Sequence, residues 1–231
     1  MRILCIGDSN TWGYTPETGV RMEKRWTKLL EEYRPDDKII EEAMNGRTVT
    51  AKDTIVPVRC GIDTLPILML SHVPVDLVII MLGTNDLKKQ FNPSAKHLAL
   101  GIEQFIKYIR NPHLVENYKI PKILIVSPVP LRDEIVERQS LFGEFDENSL
   151  KQSKFLAQTY KDVSDKYEVD FLNAGRVAEA SSIDCLHLDE KNHEKLRAKG
   201  HSILKHPFAR VRKGAFEKKL RKTMREGLFR F

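Results

Sequence analysis

The sequence predicts a doubly wound α/β protein, a three-layer α/β/α sandwich on a five-stranded parallel sheet, and three observations carry that expectation. Five short runs rich in Ile, Leu and Val alternate with longer segments of helical period, the pattern of strands covered on both faces by helices. One of these runs, residues 77–82, is apolar throughout, as a strand at the sheet centre must be. Polar residues gather directly after the runs, at the carboxyl ends of the strands, where ligands bind in such folds.

In chain order, the first strand is expected over residues 2–7, where Ile3, Leu4 and Ile6 precede Gly7 and the chain turns polar at Asp8. A helix over 24–33 leads to a second strand over 38–43. A helix over 65–71 leads to the central strand over 76–82. The segment 94–110 has helical period and connects to a fourth strand over 122–127, read from Ile123 to Val126. A helix over 149–166 precedes the fifth strand over 169–173, and a last helix is expected over 189–204.

A chain of 231 residues fits one core, since cores stop growing only at about 250 to 300 residues. With 41% hydrophobic and 30% charged residues, disordered and fibrous classes are excluded. The apolar start is too short for a secretory signal, and no run reaches the roughly 18 apolar residues of a membrane span, so a cytoplasmic protein is expected. Three cysteines without a C-x-x-C pair argue against a disulfide framework or a structural zinc site.

The net charge of +6 is unevenly placed: residues 195–231 hold 13 Lys/Arg against 2 Asp/Glu, leaving 25 basic and 30 acidic residues in the first 194. The expected organisation is therefore one α/β domain over 1–204 and a basic extension over 205–231. Phe216, Leu220, Met224 and Leu228 recur every four residues in that extension, the spacing of an amphipathic helix over 215–229. A docking helix for another subunit, or an altered ending, is favoured over a nucleic-acid or membrane contact, because basic charge alone is usually a solvated face.

Chemistry collects after the strands. Ser9 follows Gly7 and Asp8, so a tight turn can present its hydroxyl and its own N–H to one cavity. A serine needs a base, and Asp184 and His187, three residues apart, can supply an imidazole oriented by a carboxylate. Gly46 offers an unobstructed backbone N–H and Asn85 a side-chain amide, donors suited to an oxyanion. Taken singly, each also reads as a turn or cap residue. Asp189 and His193 lack zinc-ligand spacing, so no metal is expected, and Cys185 reads as structural. No G-x-S-x-G elbow and no phosphate-binding glycine motif occurs.

The joint order Gly7-Asp8-Ser9, Asn45-Gly46-Arg47-Thr48, Gly83-Thr84-Asn85-Asp86 and Asp184-Cys185-Leu186-His187 resembles the sequence blocks of the GDSL/SGNH hydrolases. The resemblance runs along most of the chain and implies the flavodoxin-like SGNH fold. The segments 2–13 and 77–86, with the Arg25-Trp26 pair, look like the arylesterase/acyltransferase branch, whose best-known members are mycobacterial. That similarity implies short-chain ester substrates, no cofactor, an acyl-serine intermediate, acyl transfer to alcohols in some members, and homo-oligomers whose neighbouring subunits shape the entrance. Ser9, Asp184 and His187 are then the expected catalytic residues, with Ser9, Gly46 and Asn85 forming the oxyanion hole. Asn10, where the branch often has Leu, and Trp12 are expected at the substrate pocket, although Trp12 also reads as core. Rival readings are a carbohydrate deacetylase, a lysophospholipase, or a non-enzymatic binder of nucleic acid or membrane surface through the tail.

Overall fold

Side chains along a strand alternate between faces, and here that alternation divides the core in two. On one face of the sheet, Leu4, Ile6, Val78, Ile80, Ile123 and Ile125 pack together; on the other lie Ile3, Cys5, Leu77, Ile79, Leu124 and Val126. A computed structural model describes residues 1–137 and 144–205. Its strands are β1 (Arg2–Gly7), β2 (Lys38–Ala43), β3 (Leu77–Met81), β4 (Lys122–Ser127) and β5 (Asp170–Asn173), and its helices are α1 (Ser9–Trp12), α2 (Trp26–Tyr33), α3 (Gly61–His72), α4 (Ala95–Ile109), α5 (Glu147–Lys166) and α6 (Glu190–Lys205).

The strands pair in parallel in the order β2-β1-β3-β4-β5, the flavodoxin-like arrangement in which the order reverses beside β1. Leu30 of α2 and Leu196 of α6 pack on one face, while Met69 of α3, Phe105 of α4 and Leu156 of α5 pack on the other. Each such fully buried side chain contributes about 1.5 to 3 kcal/mol relative to exposure. The result is the α/β/α sandwich expected from the sequence.

Helix α2 begins at Trp26 rather than 24 and helices α4 and α6 one residue later than expected; two other starts differ for an identifiable reason. Helix α5 begins at Glu147 rather than 149 because Asp146 and Ser149 form a capping box, the Asp146 carboxylate accepting the Ser149 N–H at 2.8 Å. Helix α3 begins at Gly61 rather than 65 although Pro66 lies inside it. The proline removes one ladder donor near the helix start, while the first turn is held from outside by Gly61 N–H to Thr48 O at 3.1 Å and Ile62 N–H to Val49 O at 2.9 Å. The basic extension beyond Lys205, including the amphipathic segment 215–229, lies outside the described residues. Among the described residues no helix is long and apolar enough to cross a membrane.

Candidate active site

The register of the sheet brings the polar blocks together. Gly7, the last residue of β1, pairs with Ala43 of β2 on one side and Met81 of β3 on the other, so the residues after all three strands leave the sheet at one rim. Ser9 opens α1, which is capped by Asp8 accepting the Asn10 N–H at 2.9 Å. Gly7 is needed for this sharp turn: a Cβ there would lie 2.0 Å from the Thr11 hydroxyl oxygen.

Ser9 Oγ lies 2.8 Å from His187 Nε2, and His187 Nδ1 lies 2.7 Å from Asp184 Oδ2. A carboxylate can only accept, so Nδ1 carries the proton and Nε2 is left to accept from the serine hydroxyl. All three residues are at most 4% exposed. The other Asp184 oxygen accepts the N–H groups of Leu186 at 3.0 Å and His187 at 2.9 Å, folding the loop back on itself. Burial pushes the Asp184 carboxyl up, but its bonds to the His187 ring, the His187 N–H and the Leu186 N–H outweigh this and hold it below the ordinary carboxylate value. The group therefore stays ionised beside the imidazole.

Gly46 adopts φ +82°, and a Cβ there would lie 2.5 Å from Arg59 Nε, so both conformation and space select glycine. The backbone N–H groups of Ser9 and Gly46 donate to no described residue, which leaves both open to a ligand. Asn85 is buried and donates from Nδ2 to Arg47 O at 3.1 Å, one of its two amide hydrogens. Arg47 in turn donates to Gly7 O at 3.3 Å and also bonds Glu42 O, tying the loop after β2 to the end of β1.

Asp86 closes the block Gly83-Thr84-Asn85-Asp86, and its carboxylate gathers the N–H groups of Val49, Thr50 and Ala51 at 2.7, 3.1 and 3.2 Å. It fastens the segment after Gly46 to the end of β3. Burial lifts Asp86 and Asp8 each to about 6.

Asn10 is placed differently from the pocket position expected of it. It is 3% exposed, and its amide bonds Leu188 N–H at 2.8 Å and Leu186 O at 3.4 Å. Being bonded at both ends of its amide, it clamps α1 to the histidine loop rather than lining an opening. Trp12 is half-buried, with the Arg21 guanidinium 5.3 Å from its ring centroid, so it belongs to the surface beside the site and not to the core. Tyr14, which no motif in the sequence marks, stacks on the His187 ring at 4.3 Å between centroids. His193 accepts the Trp26 N–H on Nδ1 at 3.2 Å, and burial lowers its pKa to about 4; it caps α2 as a neutral imidazole. Among the described residues no three His, Cys, Asp or Glu side chains gather as a metal site.

A hydroxyl bonded to an imidazole that is itself bonded to a buried carboxylate is the arrangement of serine hydrolysis, and on a flavodoxin-ordered sheet without a G-x-S-x-G elbow it points to the SGNH class of hydrolases. Comparison with known proteins carries this to a family. Residues 5–201 match the GDSL-like Lipase/Acylhydrolase family. The solved aryl esterase of M. smegmatis is 34% identical, with 88% of this chain and 97% of that chain covered at a TM-score of 0.81. A carbohydrate acetylesterase family member from Sinorhizobium meliloti is also 34% identical, with 88% and 96% covered at a TM-score of 0.81. No curated protein sequence matches. The chain belongs to the GDSL-like lipase/acylhydrolase family, and it is a carboxylic ester hydrolase.

Proposed function

We propose that the protein is a serine esterase that hydrolyses short-chain esters, aryl esters among them, through an acyl-serine intermediate on Ser9. The observation that carries this reading is the continuous chain from Ser9 Oγ through the His187 ring to Asp184, with links of 2.8 and 2.7 Å. His187 takes the serine proton as Oγ attacks the ester carbonyl. The oxyanion is held by the Ser9 and Gly46 N–H groups and the remaining amide hydrogen of Asn85. Such preorganised donors are worth about 10² to 10³ in rate each. His187 then gives its proton to the leaving alcohol and serves again as base for water in the second half-reaction.

The preference for short acyl groups is the reading that an enclosed Ser9 and His187, each 4% exposed, favour. It is also supported by likeness to an aryl esterase and to carbohydrate acetylesterases. The latter favours a second reading, removal of acetyl groups from sugars by the same steps. Acyl transfer to an added alcohol in place of water needs no further residue.

A panel of p-nitrophenyl esters from acetate to octanoate, together with an acetylated sugar and with and without added alcohol, tests the proposal. The expected result is a kcat/KM highest at acetate or propionate and falling with chain length, all of it lost in Ser9→Ala. A preference for octanoate would overturn the substrate assignment, and an active Ser9→Ala protein would overturn the mechanism.

A further inference from the structure

Between α1 and α2 the chain makes a hairpin excursion that the mechanism above does not use. Tyr14 pairs with Arg21 as an antiparallel bridge, closed by Thr15 N–H to Val20 O at 3.0 Å and Met22 N–H to Gly13 O at 2.6 Å. Arg21 fixes this hairpin to the body of the protein: its Nε donates to Trp12 O at 2.9 Å and its Nη2 to Glu41 of β2 at 3.2 Å. Glu41 is held in turn by two bonds of 2.7 Å from Arg25. Gly19, at φ +71°, leaves room for the Tyr14 phenol, since a Cβ there would lie 2.9 Å from the hydroxyl oxygen. The outcome of these contacts is one ring placement: Tyr14 lies against His187 at 4.3 Å between centroids with 28° between planes.

We propose that Tyr14 is a positioning residue for His187, with a stacked ring that keeps the imidazole aligned between Asp184 and Ser9 and favours the imidazolium formed when it takes the serine proton. The inference rests on the serine-esterase reading above. An aromatic face attracts a cation, and the imidazole becomes one only once proton transfer has begun. The contact is therefore stronger in the transition state than in the resting enzyme, the condition for raising kcat rather than lowering KM. Other charged or titratable groups facing His187 include Asp184 in its own loop, Asp8 at the start of α1 and His193 on α6. Tyr14 covers the ring face by a stacking contact.

The test compares Tyr14→Phe, Tyr14→Leu, Tyr14→Met and Arg21→Gln with wild type by pH–rate profiles on p-nitrophenyl acetate, alongside thermal unfolding and a Ser9→Ala control. The Leu and Met variants are expected to lose about three- to tenfold in kcat with KM changed less than about twofold. Their acid limb should move about half a unit to lower pH, because the protonated ring has lost a favourable neighbour. Tyr14→Phe keeps the ring and should stay close to wild type on both counts. Arg21→Gln loosens the hairpin without altering the ring and should move the limb in the same direction by less; it decides the matter if the aliphatic variants do not fold. An unmoved acid limb with a raised KM would reduce Tyr14 to a substrate wall and overturn the proposal, as would a Phe variant as impaired as Leu. Those outcomes with an inactive Ser9→Ala protein remove the Tyr14 role alone, whereas an active Ser9→Ala protein removes the serine-esterase reading beneath it.

Discussion

Replacing Asp184 by asparagine keeps its size and exchanges one acceptor oxygen for a donor, and the hydrogen bonds around it decide which way the new amide turns. With its NH₂ toward the backbone, two N–H groups now bonded at 3.0 and 2.9 Å, those of Leu186 and His187, would face a donor. Two buried unsatisfied donors cost about 1 to 3 kcal/mol each. Turned the other way, the NH₂ meets only His187 Nδ1, now 2.7 Å from the carboxylate, and the imidazole accommodates it by moving its proton to Nε2. That second arrangement is favoured, and it leaves Nε2 as a donor that cannot accept from Ser9. The expected loss in kcat for Asp184→Asn is about 10³ to 10⁴, or roughly 4 to 5.5 kcal/mol of transition-state stabilisation. Stability should fall little, because the loop bonds survive. Steady-state hydrolysis of p-nitrophenyl acetate at neutral pH, with thermal unfolding as control, measures both. A variant within tenfold of wild type would refute the claim that Asp184 sets the tautomer of His187.

Two further substitutions probe the surroundings of the site. Asp8 is 1% exposed and burial lifts its carboxyl from 3.8 to about 6; between about pH 4 and 6 the folded form holds a proton that the unfolded chain has lost, so its stabilising contribution is present below the lower value and disappears as pH rises through the upper. Asp8→Asn retains an oxygen for the cap and buries no charge. It should therefore gain about 3 kcal/mol on wild type at pH 7.5 and little at pH 4 in urea unfolding, and an equal gain at both would contradict the buried charge. Asn10→Ala removes the bonds to Leu188 N–H and Leu186 O; it should cost about 2 to 3 kcal/mol, lowering Tm by roughly 5 to 10 °C. An unchanged Tm with an altered KM would return Asn10 to the pocket.

The strands were legible because burial on both faces leaves a strong mark: the run 76–82 became β3 (Leu77–Met81) with one residue trimmed at either end. The helix starts were less so. The capping box at Asp146 and Ser149 is a local signal that could have moved α5 back to Glu147, whereas the start of α3 at Gly61 depends on bonds to Thr48 and Val49 that no local pattern announces. At the site, Ser9, Gly46, Asn85, Asp184 and His187 could be named because each follows a strand or stands in a short spaced motif. Tyr14 could not, since its partner is the ring of His187, distant in sequence, and the motif that ends in Asp86 does not announce the three backbone N–H groups after β2 that its carboxylate gathers. The orientation of Asn10 is not legible in sequence, because adjacency to Ser9 says nothing about which way a side chain turns. Its amide faces residues 176 and 178 positions away.

The claim on which everything depends is that Ser9 is the nucleophile, and intact-mass spectrometry after treatment with a p-nitrophenyl phosphonate tests it most directly. The expected product is protein carrying one phosphonyl group, on the peptide that contains Ser9, formed slowly in His187→Ala and not at all in Ser9→Ala. Label on another residue, or equal labelling of Ser9→Ala, would contradict the account.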